Sequence, residues 1–145
     1  MGLFDKLIGK GEMIKGIDHV AIIVSDMDRS IKFYTEVLEL KLILDGRSSG
    51  GEKKSFLGTS SKALVALSEN KSRSTKAGDN LEAVDHIAFA VADAQKSSQA
   101  LAEKGIEFIE VKMGEDGKPL AYHFLDPDGL ELEISMETTG EVPKY

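Results

Sequence analysis

The sequence predicts an α+β fold made of two copies of one βαβββ unit. Two observations lead to this prediction. One segment recurs at a constant spacing, and each copy shows strand-like alternation followed by a helical period. A chain of 145 residues is long enough for one compact domain with a real core. We therefore expect a helix on one face of each sheet, with the opposite face left open.

A seven-residue segment around His19 recurs around His86. Its two versions read DHVAIIV and DHIAFAV, and their separation is 86 − 19 = 67 residues. The same separation aligns further identical residues, namely Asp26 with Asp93, Ser30 with Ser97 and Glu36 with Glu103. Chance would rarely align so many positions without an insertion. The chain therefore contains a duplicated module.

The repeat divides the chain into five predicted segments. They are an amphipathic N-terminal helix (1–15), a first module (16–69), a polar linker (70–82), a second module (83–137) and a tail (138–145). Leu3, Phe4, Leu7 and Ile8 give the N-terminal helix its apolar face.

Both modules predict the same order of elements. A β-rich run opens each module, at 17–24 and at 84–91. An aspartate then stands at the position of a helix N-cap, and the helix of the second module ends at Gly105. Three shorter strands complete each module; they are predicted at 40–45, 53–58 and 62–68, and at 106–112, 119–126 and 129–136.

Strand alternation predicts that His19 and His86 lie on the open faces. Their apolar neighbours in the strand point to the opposite side, under the helices. The sequence at 126–129, Asp-Pro-Asp-Gly, predicts a type I turn with a left-handed glycine, so that residue 123 faces residue 133. We therefore expect His123 and Glu133 to lie within reach of each other.

The chain has three histidines, and alternation places all of them on one concave surface. Imidazoles combined with a carboxylate predict a divalent-metal site, one ion per site, with positions left for substrate or water. The ion could be Fe, Mn, Zn, Ni or Co. Glu131 shares the face of Glu133, so this pattern alone leaves the choice of carboxylate open.

Composition excludes several other classes of function. The net charge of −7 argues against nucleic acid or anionic membrane as a partner. The absence of cysteine excludes disulfides, thiolate metal sites and a cysteine nucleophile. No apolar run approaches the roughly 20 residues that span a bilayer. We expect a cytoplasmic protein that binds a small-molecule substrate.

These motifs resemble the vicinal oxygen chelate superfamily, which includes glyoxalase I, extradiol dioxygenases, epimerases, fosfomycin-resistance enzymes and bleomycin-binding proteins. The resemblance extends from Gly16 to Met136. It is carried by Ile17-Asp18-His19-Val20-Ala21, by Phe33-Tyr34, and by the turn at 126–129 with Glu133 four residues after its glycine. It implies a cupped, partly open, barrel-like mixed sheet with the helices outside.

The resemblance further implies that His19, His86 and Glu133 hold the metal, with Glu133 favoured over Glu131. The expected function is a metal-dependent enzyme of the glyoxalase or dioxygenase type, acting on a small oxygenated substrate that chelates the ion. Glu133 and His123 are the expected catalytic residues, the latter as acid, base or orienting group. A bleomycin-resistance-type binding protein without catalysis is the alternative. A homodimer is expected, with sites formed within one chain or across two.

The chain departs from the family pattern at Ala66. This residue is the first-module counterpart of Glu133, since 133 − 67 = 66, and it offers no ligand atom. The departure argues against a true glyoxalase I or epimerase and favours a three-ligand site. The sequence also lacks arginine after Arg73. We therefore expect fosfomycin modification to be a poor match.

Overall fold

The computed structural model describes residues 17–48, 54–76 and 84–136. The predicted N-terminal helix and the tail lie outside these ranges, as does part of the linker. Within the described ranges, no helix combines the length and the apolar character that crossing a bilayer requires.

The order of elements is βαβββ in each module, as predicted. The first module contains β1 (Val20–Val24), α1 (Met27–Lys32, continued by a π-helical turn at Phe33–Val37), β2 (Lys41–Leu44), a 3-10 turn (Gly46–Ser48), β3 (Lys54–Gly58) and β4 (Ala63–Glu69). The second contains β5 (Ile87–Val91), α2 (Ala94–Glu103), β6 (Glu110–Met113), β7 (Pro119–Leu125) and β8 (Glu131–Met136). The α+β prediction is confirmed.

The strands form two four-stranded mixed sheets, and the described residues do not form a closed barrel. The orders are β1-β4-β3-β2 and β5-β8-β7-β6. In each sheet the first strand pairs in parallel with the last, and the other pairings are antiparallel. Ala21 pairs with Ala66 in the first sheet, as Ala88 pairs with Glu133 in the second. The spacing of 67 residues is therefore preserved in the strand register.

Both helices begin where the sequence predicts, at an aspartate. Asp26 accepts a hydrogen bond from the Arg29 backbone N–H, and Asp93 accepts one from that of Lys96, each at 3.0 Å. These bonds satisfy one of the backbone donors that the first turn of a helix leaves without a partner. Gly105 follows α2 at φ +89°, the left-handed conformation expected of a C-terminal cap.

Helix α1 ends differently, because it contains one residue more. From its N-cap at Asp26 to the positive-φ residue Glu39 the count is 39 − 26 = 13, against 105 − 93 = 12 in the second module. The extra residue is accommodated in the π-helical turn, where the Leu38 N–H donates to the Phe33 carbonyl at 3.3 Å. Nothing in the pattern of residues indicated this turn.

The helix-facing sides of both sheets share one hydrophobic core. Val24, Tyr34 and Leu67 of the first module join Phe124 and Leu132 of the second, and all five are fully buried. Burying side chains of this size contributes about 1.5–3 kcal/mol each. Because the core lies on the helix side of both sheets, each open face lies on the side of its sheet away from the core.

The turn between β7 and β8 connects the second module to α1. Tyr34 Oη donates a hydrogen bond of 3.0 Å to Asp126 Oδ2, and both side chains are buried. Burial, with the charge of Asp126 beside it, holds the pKa of Tyr34 well above its usual range. Tyr34 therefore remains a proton donor. Asp126 Oδ1 accepts from the backbone N–H groups of Asp128 and Leu130, which fixes the turn.

Asp128 makes the second connection from the same turn. Its side chain is fully buried and accepts from the Ser25 N–H at 3.1 Å, from the Arg29 guanidinium at 3.2 Å and from Ser30 Oγ at 3.4 Å. Arg73, which follows β4, lies 3.5 Å away on the same carboxylate. One side chain thus joins the first module, the segment after it and the second module.

We expect Asp128→Ala to lower the free energy of unfolding by about 3 kcal/mol, measured by urea denaturation. The substitution removes a buried acceptor from several donors, two of them cationic. Glu107→Ala, at an exposed position of the second module, is the control and should change stability by less than about 0.5 kcal/mol. Equal effects in the two variants would show that the contacts of Asp128 are not needed to join the modules.

Candidate metal centre

The open face of the second sheet carries a row of residues in cross-strand register. Ala88 on β5 pairs with Glu133 on β8, Glu133 with His123 on β7, and His123 with Glu110 on β6. The alanine leaves space beside the carboxylate. The predicted pairing of residue 123 with residue 133 is confirmed, because the turn contains the three residues that the sequence indicated.

His86 lies immediately before β5, with its ring over this row. Its Nε2 atom is 3.0 Å from Glu133 Oε2, and its Nδ1 atom is 2.7 Å from Asp85 Oδ2. The hydrogen bond to Asp85 raises the pKa of His86, and the charge of Glu133 raises it further against the opposing effect of burial. Two carboxylates therefore hold one imidazole.

His123 approaches the same carboxylate from the other side. Its Nε2 atom is 3.2 Å from Glu133 Oε2, and its Nδ1 atom is 2.8 Å from Glu131 Oε1. The ring is only 4% exposed and lies edge-on to that of His86, with 5.1 Å between centroids. Nε2 is buried and makes no hydrogen bond within the described part of the chain.

These distances fit a divalent ion. Ligand atoms about 2.1 Å from a metal are ~3.0 Å apart at a right angle and ~3.4 Å apart at the tetrahedral angle. The two separations measured from Glu133 Oε2 are of this size. His86, His123 and Glu131 also form a group whose ligand atoms lie within 4.8 Å of one another. The described residues thus contain a group that could hold a metal ion.

Of the two carboxylates, Glu133 is the one that contacts both Nε2 atoms. It is fully buried, whereas Glu131 is 23% exposed and bonds the opposite nitrogen of His123. A carboxylate on the far nitrogen of a metal-binding imidazole is a common outer partner. This geometry favours the choice that the resemblance implied.

His19 lies in the first module and is not part of that group. Its Nδ1 atom is 2.7 Å from Asp18 Oδ2, and its ring stands edge-on to Phe56 at 5.8 Å between centroids. His19 and His86 both line a cavity of ≈ 760 Å³ whose walls are largely apolar. Within one chain, the structure therefore brings together His86, His123 and Glu133 and places His19 elsewhere in the same cavity.

The carboxylate partners of the imidazoles were not predicted from the sequence. Each of the three histidines has Nδ1 at 2.7–2.8 Å from a carboxylate, which leaves Nε2 as the atom for a ligand bond. The signal was present in the duplication, since an aspartate precedes the histidine in both copies. For His123 the partner is Glu131, which the sequence identified only as a competing ligand.

The charges around the site are mainly negative. Asp85, Glu110 and Glu131 surround the pair of imidazoles and Glu133. The nearby cation on β6, Lys112, has Nζ 2.7 Å from Glu110 Oε1 and is largely neutralised by it. The hydrogen bond from Lys112 lowers the pKa of Glu110, which therefore stays ionised. Such surroundings attract a cation and repel a dianionic ligand.

Comparison with known proteins places the chain in a family. The family model for the glyoxalase/bleomycin resistance protein/dioxygenase superfamily matches residues 16–134. Protein YwkD of Bacillus subtilis is 33% identical over 130 residues, which are 84% of this chain and 97% of that protein. Glutathione transferase FosA of Serratia marcescens is 31% identical over 124 residues, 84% of this chain and 81% of FosA.

A solved structure has the same fold. It is a variant of the fosfomycin resistance protein FosX of Listeria monocytogenes, complexed with Mn(II) and 1S,2S-dihydroxypropylphosphonic acid. Its TM-score is 0.64 at 20% identity, covering 88% of this chain and 94% of that chain.

We expect Asp85→Asn to lower the pKa of His86 in the metal-free protein, because the hydrogen bond from His86 to Asp85 is the largest effect that raises this pKa. An NMR titration of the imidazole protons measures the change. Asp28→Asn on α1 serves as control and should leave the pKa of His86 where it is. An unchanged value in Asp85→Asn would mean that the short contact does not hold this imidazole in solution.

Proposed function

Since the chain belongs to the glyoxalase/bleomycin resistance protein/dioxygenase superfamily, we propose that it is a divalent-metal-dependent enzyme acting on a small oxygenated substrate. The observation that carries the proposal is the position of Glu133 Oε2, 3.0 Å from His86 Nε2 and 3.2 Å from His123 Nε2. Placing a buried carboxylate against two imidazoles costs energy unless a cation or protons compensate for it. The manganese complex of FosX supports the choice of a metal.

The proposed ligands are His86, Glu133 and a His19 side chain. A bound divalent ion would polarise a substrate oxygen and stabilise an enolate or oxyanion. Glu133 is the only anionic ligand of this set, so the ion keeps part of its charge for the substrate. The apolar wall of the cavity next to His86 suits a substrate with a hydrocarbon portion.

The proposed reaction is isomerase- or lyase-like, or a dioxygenation. Relatives named glutathione transferase FosA and metallothiol transferase FosB add thiol transfer as a third type. The carboxylates around the site argue against a dianionic phosphonate as the substrate. A neutral or singly charged chelating molecule, such as an α-hydroxycarbonyl compound or a catechol, meets less repulsion.

We propose that two copies of the chain form the complete site. In one chain His19 is outside the group formed by His86, His123 and Glu133, and each open face lies away from the core that the modules share. Exposed apolar residues lie on or just before the outer strands β1 and β5, and these are Ile17, Ile23 and Val84. A homodimer would cover them, and His19 of the partner subunit would then complete the ligand set.

Metal analysis tests the proposal directly. We expect one divalent ion per site in protein purified without chelators, measured by inductively coupled plasma mass spectrometry. His86→Ala should lose most of it, because the imidazole supplies one of the ligand atoms. Lys71→Ala, at an exposed position far along the chain from the ligands, is the matched control. A wild type that carries no metal, yet binds a small ligand, would instead favour the sequestering function.

Mixing two variants distinguishes a shared site from one within a chain. His19→Ala and His86→Ala dimers should each bind little metal. After unfolding and refolding together in equal amounts, about half of the dimers are mixed, and each has one site with both histidines intact. We expect about a quarter of the wild-type metal content to return. No recovery in a mixture shown to contain mixed dimers would contradict the proposal that the partner supplies His19.

A further inference from the structure

The ring of His123 is held by carboxylates at both nitrogens. Nδ1 lies 2.8 Å from Glu131 Oε1, while Nε2 lies 3.2 Å from Glu133 Oε2. An Nδ1–H that donates to Glu131 leaves the lone pair on Nε2, and this is the form in which a neutral imidazole binds a metal. When a metal ion occupies Nε2, the hydrogen bond to Glu131 therefore holds the ring in the matching orientation and tautomer.

The environment of Nε2 indicates what it binds. This atom is buried and makes no hydrogen bond within the described part of the chain. Buried polar atoms almost always have a partner. The lone pair of Nε2 and the carboxylate of Glu133 repel each other at 3.2 Å unless a proton or a metal cation lies between them. His86 Nε2 faces the same oxygen at 3.0 Å, so the three atoms surround one point.

We propose that His123 binds the metal ion through Nε2, as a ligand in addition to those of the proposed site. The inference rests on the proposed function, since it concerns the same ion. It also accounts for Ala66, which cannot bind metal at the first-module position equivalent to Glu133. His123, from the strand beside Glu133, supplies the nitrogen donor that Ala66 cannot provide. Glu131 is then a positioning residue.

Metal binding fits His123 better than proton transfer to a substrate. The ring is 4% exposed, and both of its nitrogens face carboxylates. Among the described residues that line the cavity are His19 and His86, but not His123. A substrate in that cavity would therefore meet the ion before it met this imidazole. The two roles can be distinguished by metal affinity. Replacing a metal ligand should weaken metal binding, whereas replacing an acid–base residue should leave it unchanged.

The first test measures the affinity of the metal-free dimer for Co(II), by competition with a chromophoric chelator. We expect His123→Phe to raise the Kd more than about 100-fold and to change the visible absorption of bound Co(II). Phenylalanine suits the position, because Phe56 occupies it in the first sheet, paired with Ala66 as His123 is with Glu133. Glu131→Gln should raise the Kd about tenfold, since it removes only the outer carboxylate.

His123→Gln should partly restore metal binding, because the amide oxygen of glutamine can lie close to the position that Nε2 of His123 occupies. We expect it to bind Co(II) more tightly than His123→Phe. Nitrogen-15 NMR of the Zn(II)-loaded wild type adds a readout without substitution, in which Nε2 of His123 should show the shift of a metal-bound nitrogen.

The outcomes separate the two proposals. If His123→Phe binds Co(II) with wild-type affinity and spectrum, or if Nε2 of His123 shows no metal-bound shift, the ligand role is overturned while the proposed function stands. Loss of turnover at unchanged affinity would restore the acid–base role. A wild type that binds no Co(II) overturns the proposed function, and the role of His123 with it.

Discussion

The burial of Asp128 is the constraint on which the arrangement of the two modules depends. A carboxylate with no solvent around it needs donors, and the chain supplies them from α1, from the backbone before it and from the segment after β4. Satisfying Asp128 brings α1 against the β7–β8 turn. The helix sides of both sheets then meet in one core, and the open faces lie on the other side of the sheets. The location of the metal centre follows from this packing.

The open faces of the two sheets differ at two central positions, and only the second sheet has potential metal-binding side chains there. Their registers match, so the same positions face the same way in both. In the first sheet the central positions of the open face are Ala66 and Phe56, and in the second they are Glu133 and His123. The backbone is shared, while the chemistry resides in these two pairs of side chains. The first module still contributes an apolar wall and His19 to the cavity.

The fold could be predicted from the sequence because the duplicated module shows each pattern of strand, helix and cap twice. The order of elements along each module, the aspartate caps, the left-handed Gly105 and the pairing of His123 with Glu133 are all local consequences of alternation and turn chemistry. The π-helical turn was not predictable, since it depends on one extra residue whose accommodation is decided by packing. The position of His19 relative to His86 depends on how the modules pack, and alternation within a strand carries no information about that. The carboxylate partners of the histidines were visible as a repeated Asp-His pair, but their meaning required distances.

The two imidazoles beside Glu133 differ in how firmly the fold holds them. His123 stands on β7, an inner strand with neighbours on both sides, and is almost wholly enclosed. His86 precedes β5, the outermost strand of its sheet, and its side chain is 31% exposed. Among the described residues, the more exposed ring therefore marks the side from which an ion would reach the centre. Because that ring stands at the edge of its sheet, we expect the exchange of a metal to depend more on His86 than on His123.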